Sequence, residues 1–223
     1  MTLPMQNNPD AWLAKILAST RAYRVQDHIQ HAKTCVDVGA NVGGFIINYH
    51  KLFDKIYAIE ASENNTLLCK QNIEKYGVSN TEVTRAAAGK ADGETLVLRM
   101  YDNKAGNQDC GNFGVTGFAY EESGHGWNET EYDEEVQSVC LESIIEKVGP
   151  INCLKVDIEG GEYDFLYGKD LSQVDYIFME IHNFLVKLNQ GHELVDHICK
   201  THELLTPYKG RLDGHEEIVF RRK

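Results

Sequence analysis

The chain has 223 residues, 42% of them hydrophobic and 25% charged, which suits one sizeable core and excludes a disordered polymer. Its formal net charge of −12 repels a phosphate backbone, so nucleic acid is not an expected partner, whereas a small molecule, a glycan or a protein is. No apolar run is long enough to cross a bilayer, and the polar start, broken by Pro4 and Pro9, lacks the pattern of a secretory leader, so a cytoplasmic location is expected.

Asp10 to His31 is amphipathic, with Asp10 as a helix cap and Trp12, Leu13, Ile16 and Leu17 at helical spacing. Residues 1–33 thus read as a helical extension ahead of the main domain, 34–223. Thr34 to Val38 is a β-rich run, followed by glycines and a helix-like Phe45 to Phe53. Lys55 to Ile59 reads as a second strand, Leu67 to Tyr76 as a helix closed by Gly77, and Thr81 to Ala86 as a third strand. Glu94 to Tyr101 and Glu135 to Val139 read as an extra strand pair. Between them, 102–133 is a long irregular insertion carrying Phe113, Phe118, Tyr120, Trp127 and Tyr132. Its aromatics among polar residues suit an acceptor-side lid.

Leu141 to Val148 is a helix stopped by Gly149-Pro150, and Ile151 to Val156 a buried strand. A short helix over Glu162 to Tyr167, a buried strand over Tyr176 to Met179 and a helix over about His192 to Cys199 follow. Two strands, near Leu204 to Tyr208 and Glu217 to Phe220, end the chain. Strands alternating with helices imply an α/β fold, mostly parallel, with helices on both faces. The six cysteines, Cys35, Cys69, Cys110, Cys140, Cys153 and Cys199, form no CxxC pair and read as buried thiols.

The first strand runs into Asp37-Val38-Gly39-Ala40-Asn41-Val42-Gly43-Gly44. Glycines between a strand and a helix let a ligand approach the helix N-terminus. A dinucleotide fingerprint needs its second glycine where Asn41 stands, and Asp37 would oppose a pyrophosphate. The same carboxylate suits a ligand carrying an amine and a sulfonium, as S-adenosylmethionine does. Glu60 ends the second strand about 20 residues after Gly39, the spacing of a carboxylate that binds ribose hydroxyls.

These segments resemble a known family. Cys35 to Phe45 and Ile56 to Ser62 look like the glycine motif and ribose strand of class I methyltransferases. Leu154-Lys155-Val156-Asp157-Ile158-Glu159-Gly160-Gly161-Glu162 looks like the hallmark of the FkbM-type methyltransferases. Ala87-Ala88-Gly89 and Leu141-Glu142-Ser143-Ile144 are also similar to that family. The resemblance implies a Rossmann-like class I fold: a seven-stranded sheet with an antiparallel last hairpin. It also implies O-methylation of a hydroxyl, on a sugar, glycan or natural product. The expected cofactor contacts are Asp37, Gly39, Ala40, Asn41, Gly43, Glu60, Ala61, Ala87 and Asp157.

Ligands of open α/β sheets lie outside the strands' carboxyl ends, which brings Asp37, Glu60, Asp157 and Glu180 to one rim. His182 is the first candidate for the base that takes the acceptor proton, because an ordinary imidazole titrates near neutrality. Asp157 and Glu180 are the further catalytic candidates, and Asp157 could itself accept the proton. Asp157 and Glu180, with His182 beside them, are also the candidate ligands of a magnesium ion. A nicotinamide-dependent oxidoreductase and a non-catalytic nucleotide-binding scaffold are the competing readings.

Overall fold

A computed structural model describes residues 9–103, 127–182, 190–210 and 215–223. Helix α1 (Pro9–Thr20) leads through two 3-10 turns, Arg21–Tyr23 and Val25–Asp27, into β1 (Ala32–Val38). Then follow α2 (Gly44–Tyr49), a 3-10 turn (His50–Leu52), β2 (Phe53–Glu60), α3 (Glu63–Lys75), β3 (Thr81–Arg85) and β4 (Ala87–Ala88). An arm of β5 (Thr95–Asn103) and β6 (Trp127–Val139) comes next. The chain continues through α4 (Leu141–Val148), β7 (Ile151–Val156), α5 (Glu162–Leu166), β8 (Val174–His182), α6 (Gln190–Ile198), β9 (His202–Leu204) and β10 (His215–Arg222).

Seven strands form one sheet in the order β3-β2-β1-β7-β8-β10-β9. The first five run parallel, while β10 is antiparallel to both β8 and β9. The expected Rossmann-like sheet with its antiparallel C-terminal hairpin is therefore present. No helix of the described residues is long and apolar enough to cross a membrane.

Pleating sorts the buried residues onto two faces, because successive side chains of a strand alternate. Val36, Val38, Leu154, Val156, Ile177 and Met179 pack with α4, α5 and α6. Cys35, Cys153, Phe178, Ile56 and Ala58 pack with α2, α3 and the N-terminal segment, through Tyr23, Val25 and Ile29. The N-terminal extension thus shares the core rather than standing beside it. Among the described cysteines none is paired, and Cys35, Cys69, Cys140 and Cys153 are buried.

Several element boundaries differ from the sequence reading. Helix α3 starts at Glu63 rather than Leu67: the Ser62 side chain accepts from the Asn65 amide at its N-terminus, so a polar first turn is helical. Phe53 belongs to β2, since a 3-10 turn ends the preceding helix. Strand β8 continues through Glu180 to His182, both paired with β10, so His182 ends the strand instead of following it. Edge strand β9 stops at Leu204; Pro207 lacks the N–H a longer ladder would need. Strand β6 begins at Trp127, well inside the expected irregular insertion, because ladder bonds to β5 replace the missing apolar alternation. Phe113, Phe118 and Tyr120, with the rest of 104–126, lie outside the described residues.

Candidate active site

Gly39 and Ala40 turn the chain out of β1, and both amides donate to the Ile59 carbonyl at 2.9 and 3.0 Å. Gly39 has φ of +78°, and a Cβ there would lie 1.8 Å from the Asp157 carbonyl oxygen, so only glycine fits where the two loops touch. Asn41 is also left-handed, φ 50°. Its side chain accepts from the Val42 amide at 2.8 Å, while its own amide donates to Glu60 Oε2 at 2.8 Å. The Ser62 amide donates to Glu60 Oε1 at 2.9 Å. Burial raises the Glu60 pKa, and the two amides oppose it.

Asp37, Lys155, Asp157, Glu180 and His182 follow the pleat that faces α2 and the N-terminal segment, in step with Cys35, Cys153 and Phe178. The Asp37 carboxylate is wholly buried. Lys155 Nζ lies 3.2 Å from Asp37 Oδ1 and 3.5 Å from Asp157 Oδ2, and donates to the Gly39 carbonyl at 2.6 Å. Burial pulls the Lys155 pKa down, but Asp37 and Asp157 hold it above the ordinary value. Asp37 is raised, mainly by burial. Its charge is thus met inside the protein, beneath the ligand cleft, and it does not line that cleft.

Four carboxylates ring His182. Its Nδ1 lies 2.9 Å from Glu162 Oε1; its Nε2 lies 3.2 Å from Glu159 Oε2, 3.4 Å from Glu180 Oε1 and 4.0 Å from Asp157 Oδ1. Burial alone would lower the imidazole pKa, but Glu159 and Glu162 outweigh it and raise it well above its ordinary value. Glu159 is left-handed, φ 53°, and burial pushes its carboxyl up to about 8. Glu162 is fully buried and clamps its own loop, accepting from the Ile158 amide at 3.3 Å and the Gly160 amide at 3.1 Å.

An open cleft of about 620 Å³ lies over these residues. Gly39, Asn41, Glu60, Ala61 and Asp157 line it, joined by Asn65, Leu98 and Glu159. Ala86 and Ala88 line it, and Ala87 between them does not. Ala40 and Gly43 are buried in the turn behind. Glu180 and His182 reach the cleft through Asp157 and Glu159.

Sequence reasoning missed three residues. Lys155 was detectable: a lysine inside the apolar run Ile151 to Val156 needs a buried anion. Glu162 as a clamp had no local signal beyond its place at a helix start. Tyr23 comes from the N-terminal segment, and its hydroxyl lies 3.5 Å from Asp157 Oδ2.

Asp157, Glu180 and His182 each place one potential ligand atom within 4.8 Å of the others. The set does not fit magnesium. The imidazole is already shared among carboxylates, and magnesium takes oxygen ligands in a near-ideal octahedron.

A family model described as the methyltransferase FkbM domain matches residues 37–205. Among solved structures, a protein of the NADB-Rossmann superfamily from Streptococcus agalactiae is similar over 100% of this chain and 70% of its own, with a TM-score of 0.50 and 13% identity. Trm5b from Pyrococcus abyssi is similar over 92% of this chain and 48% of its own, with a TM-score of 0.51 and 14% identity. At such identities the likeness concerns the fold alone. No curated protein matches the chain. With the glycine turn, the glutamate that ends β2 and the Lys155 to Glu162 cluster all inside the matched span, the chain belongs to the FkbM methyltransferase domain family.

Proposed function

We propose that the chain binds S-adenosylmethionine in this cleft and methylates a hydroxyl oxygen of a small-molecule or glycan acceptor. The observation that carries the reading is one cleft with three chemistries in sequence. Along the strand order, Ala86 and Ala88 after β3 give an apolar end to which Ile59 and Leu98 add, Glu60 at the tip of β2 comes next, and Asp157 and Glu159 after β7 come last. That donor set suits a ribose diol, a flat base and a cationic group. Direct repulsion by Asp37 is not what selects the ligand, because Lys155 neutralises it. The acidic residues that remain in the cleft favour a cation over a diphosphate.

Bound S-adenosylmethionine would supply a methyl carbon on a positively charged sulfur, which departs with the bonding electron pair as a neutral thioether. The chain's task is to hold an acceptor hydroxyl in line and to take its proton as the oxygen–carbon bond forms. His182 is a poor acceptor of that proton, because its two nitrogens already face Glu162 and Glu159, whose charges raise its pKa well above the ordinary value. Asp157 lines the cleft and is the better candidate. His182 then serves as the fixed cation that keeps four carboxylates together.

Asp157→Asn keeps the shape and loses the proton acceptor, so turnover should fall about 100-fold or more. A screen of hydroxyl and amine acceptors with isotopically labelled methyl donor, read by mass gain, measures this. S-adenosylhomocysteine should raise the melting temperature, whereas stabilisation by a nicotinamide dinucleotide alone would overturn the reading.

A further inference from the structure

Tyr23 lies outside the span matched by the family model, yet it reaches the centre of the site. Its ring is buried, edge-on to Phe45 with centroids 5.9 Å apart. Its hydroxyl meets Asp157 Oδ2 at 3.5 Å across 134 residues of chain. Catalytic hydrogen bonds of this kind are commonly long until ligand binds.

Arg24, the next residue, is left-handed at φ 48°, between the two 3-10 turns. A non-glycine residue in that region costs free energy and persists where its surroundings over-determine it. Here the surroundings are the Tyr23 ring on one side and Val25, fully buried, on the other.

Asp157 is consequently held by one oxygen. Tyr23 and Lys155 both approach Oδ2, while Oδ1 is 4.0 Å from His182 Nε2, too far for a hydrogen bond. The acidic groups facing Tyr23 are Asp157, Glu180, Glu217 and Asp37; burial first, and then these charges, keep its hydroxyl protonated. A phenol that stays protonated has one proton to donate, and the Asp157 carboxylate lies 3.5 Å from it.

We propose that Tyr23 is a positioning residue of the methyl-transfer site: it fixes the Asp157 carboxylate through Oδ2 so that Oδ1 faces the acceptor. The N-terminal segment is then a wall of the active site rather than an appendage. The inference rests on the reading of Asp157 as the proton acceptor.

The test uses two cofactor analogues on the full chain. S-adenosylhomocysteine has a neutral sulfur at the transfer position. Sinefungin carries an amine-bearing carbon there, and that amine should meet Asp157 Oδ1. Calorimetry gives the ratio of their affinities for the wild type, Tyr23→Phe and Asp157→Asn. The wild type should prefer sinefungin, and Asp157→Asn should lose that preference. Tyr23→Phe should reduce it by about threefold to tenfold, the worth of one hydrogen bond, with S-adenosylhomocysteine affinity unchanged. A merely structural tyrosine would weaken both analogues alike.

If Asp157→Asn loses the preference and Tyr23→Phe keeps it, the positioning role is wrong and the site reading survives. If Asp157→Asn keeps the preference, the reading of Asp157 fails and takes this inference with it. Should Tyr23→Phe melt below the working temperature, Tyr23→Met, apolar and without a donor, is read in the same way.

Discussion

Lys155 is the cation on which the charge balance beneath the cleft depends. Like Asp37 it is buried, and it also ties the Gly39 carbonyl and Asp157 together. Removing one partner of a buried pair strands the other, which costs roughly 3–5 kcal/mol, whereas replacing both often costs little. Lys155→Met should therefore lower the denaturation midpoint by a shift worth about that much. Asp37→Asn added to it should recover most of the loss, because no buried charge is then left alone. A double mutant no more stable than Lys155→Met would show that Lys155 acts by packing and not by charge. At this scale the sequence placed Glu60 and Asp157 correctly at strand ends beside one cleft, since strand-end position is a local property. It did not anticipate the carboxylates around His182, since Asp157, Glu159 and Glu162 come from a distant segment, 157–162.

Outside the parallel sheet, one element lines the cleft and another packs on α2. The β5–β6 arm contributes Leu98 to the cleft wall and is fastened by Glu134, whose Oε2 accepts from the Glu63 amide at 2.8 Å and from Arg85 at 3.2 Å. Glu134 thereby links the arm to the first turn of α3 and to β3. On the other side, α1 rests on α2 at Gly44, where an added Cβ would lie 2.5 Å from the Ile16 side chain and 3.1 Å from its backbone. Overpacking of that kind costs about 1–3 kcal/mol, and α1 is the element that can yield. Gly44→Val should thus release α1 while the sheet stays folded. Limited trypsin digestion should cut at Lys15 or Arg21 in the variant before any site in the sheet; an unchanged digestion pattern would contradict this packing. The arm's strand β6 was only half legible, because Glu129, Glu131 and Asp133 hide the alternation that marks a strand. Helix α1 was legible from its apolar spacing, but nothing in that spacing revealed which helix it would cover.

For the molecule as a whole, two buried histidines set opposite limits on stability with pH. His202 is fully buried, its Nε2 3.0 Å from the Val174 carbonyl and its Nδ1 2.8 Å from the Thr201 hydroxyl. Burial lowers its pKa. The unfolded chain therefore takes up a proton more readily than the folded one, and stability present above about pH 6.5 is lost as the pH falls through the lower folded value. His182 has the reverse sign: its pKa is raised, so its contribution is full below about pH 6.5 and is lost as the pH rises through the folded value. The melting temperature should decline on acidification from pH 7 to 5, and His202→Gln should flatten that limb. A limb equally steep in the variant would remove His202 as its cause.

What the sequence determined by itself was the alternation of strands and helices, the glycine turn after β1 and the carboxylates at the ends of β2 and β7. Each is written in a few adjacent residues, through periodicity and backbone freedom. Only the tertiary structure decided that β10 lies between β8 and β9, that Lys155 meets Asp37, that carboxylates ring His182 and that Tyr23 arrives at Asp157. Those outcomes join residues far apart in the chain. Burial and the charges met there set their protonation and hydrogen bonding, and no local pattern encodes which distant groups will meet.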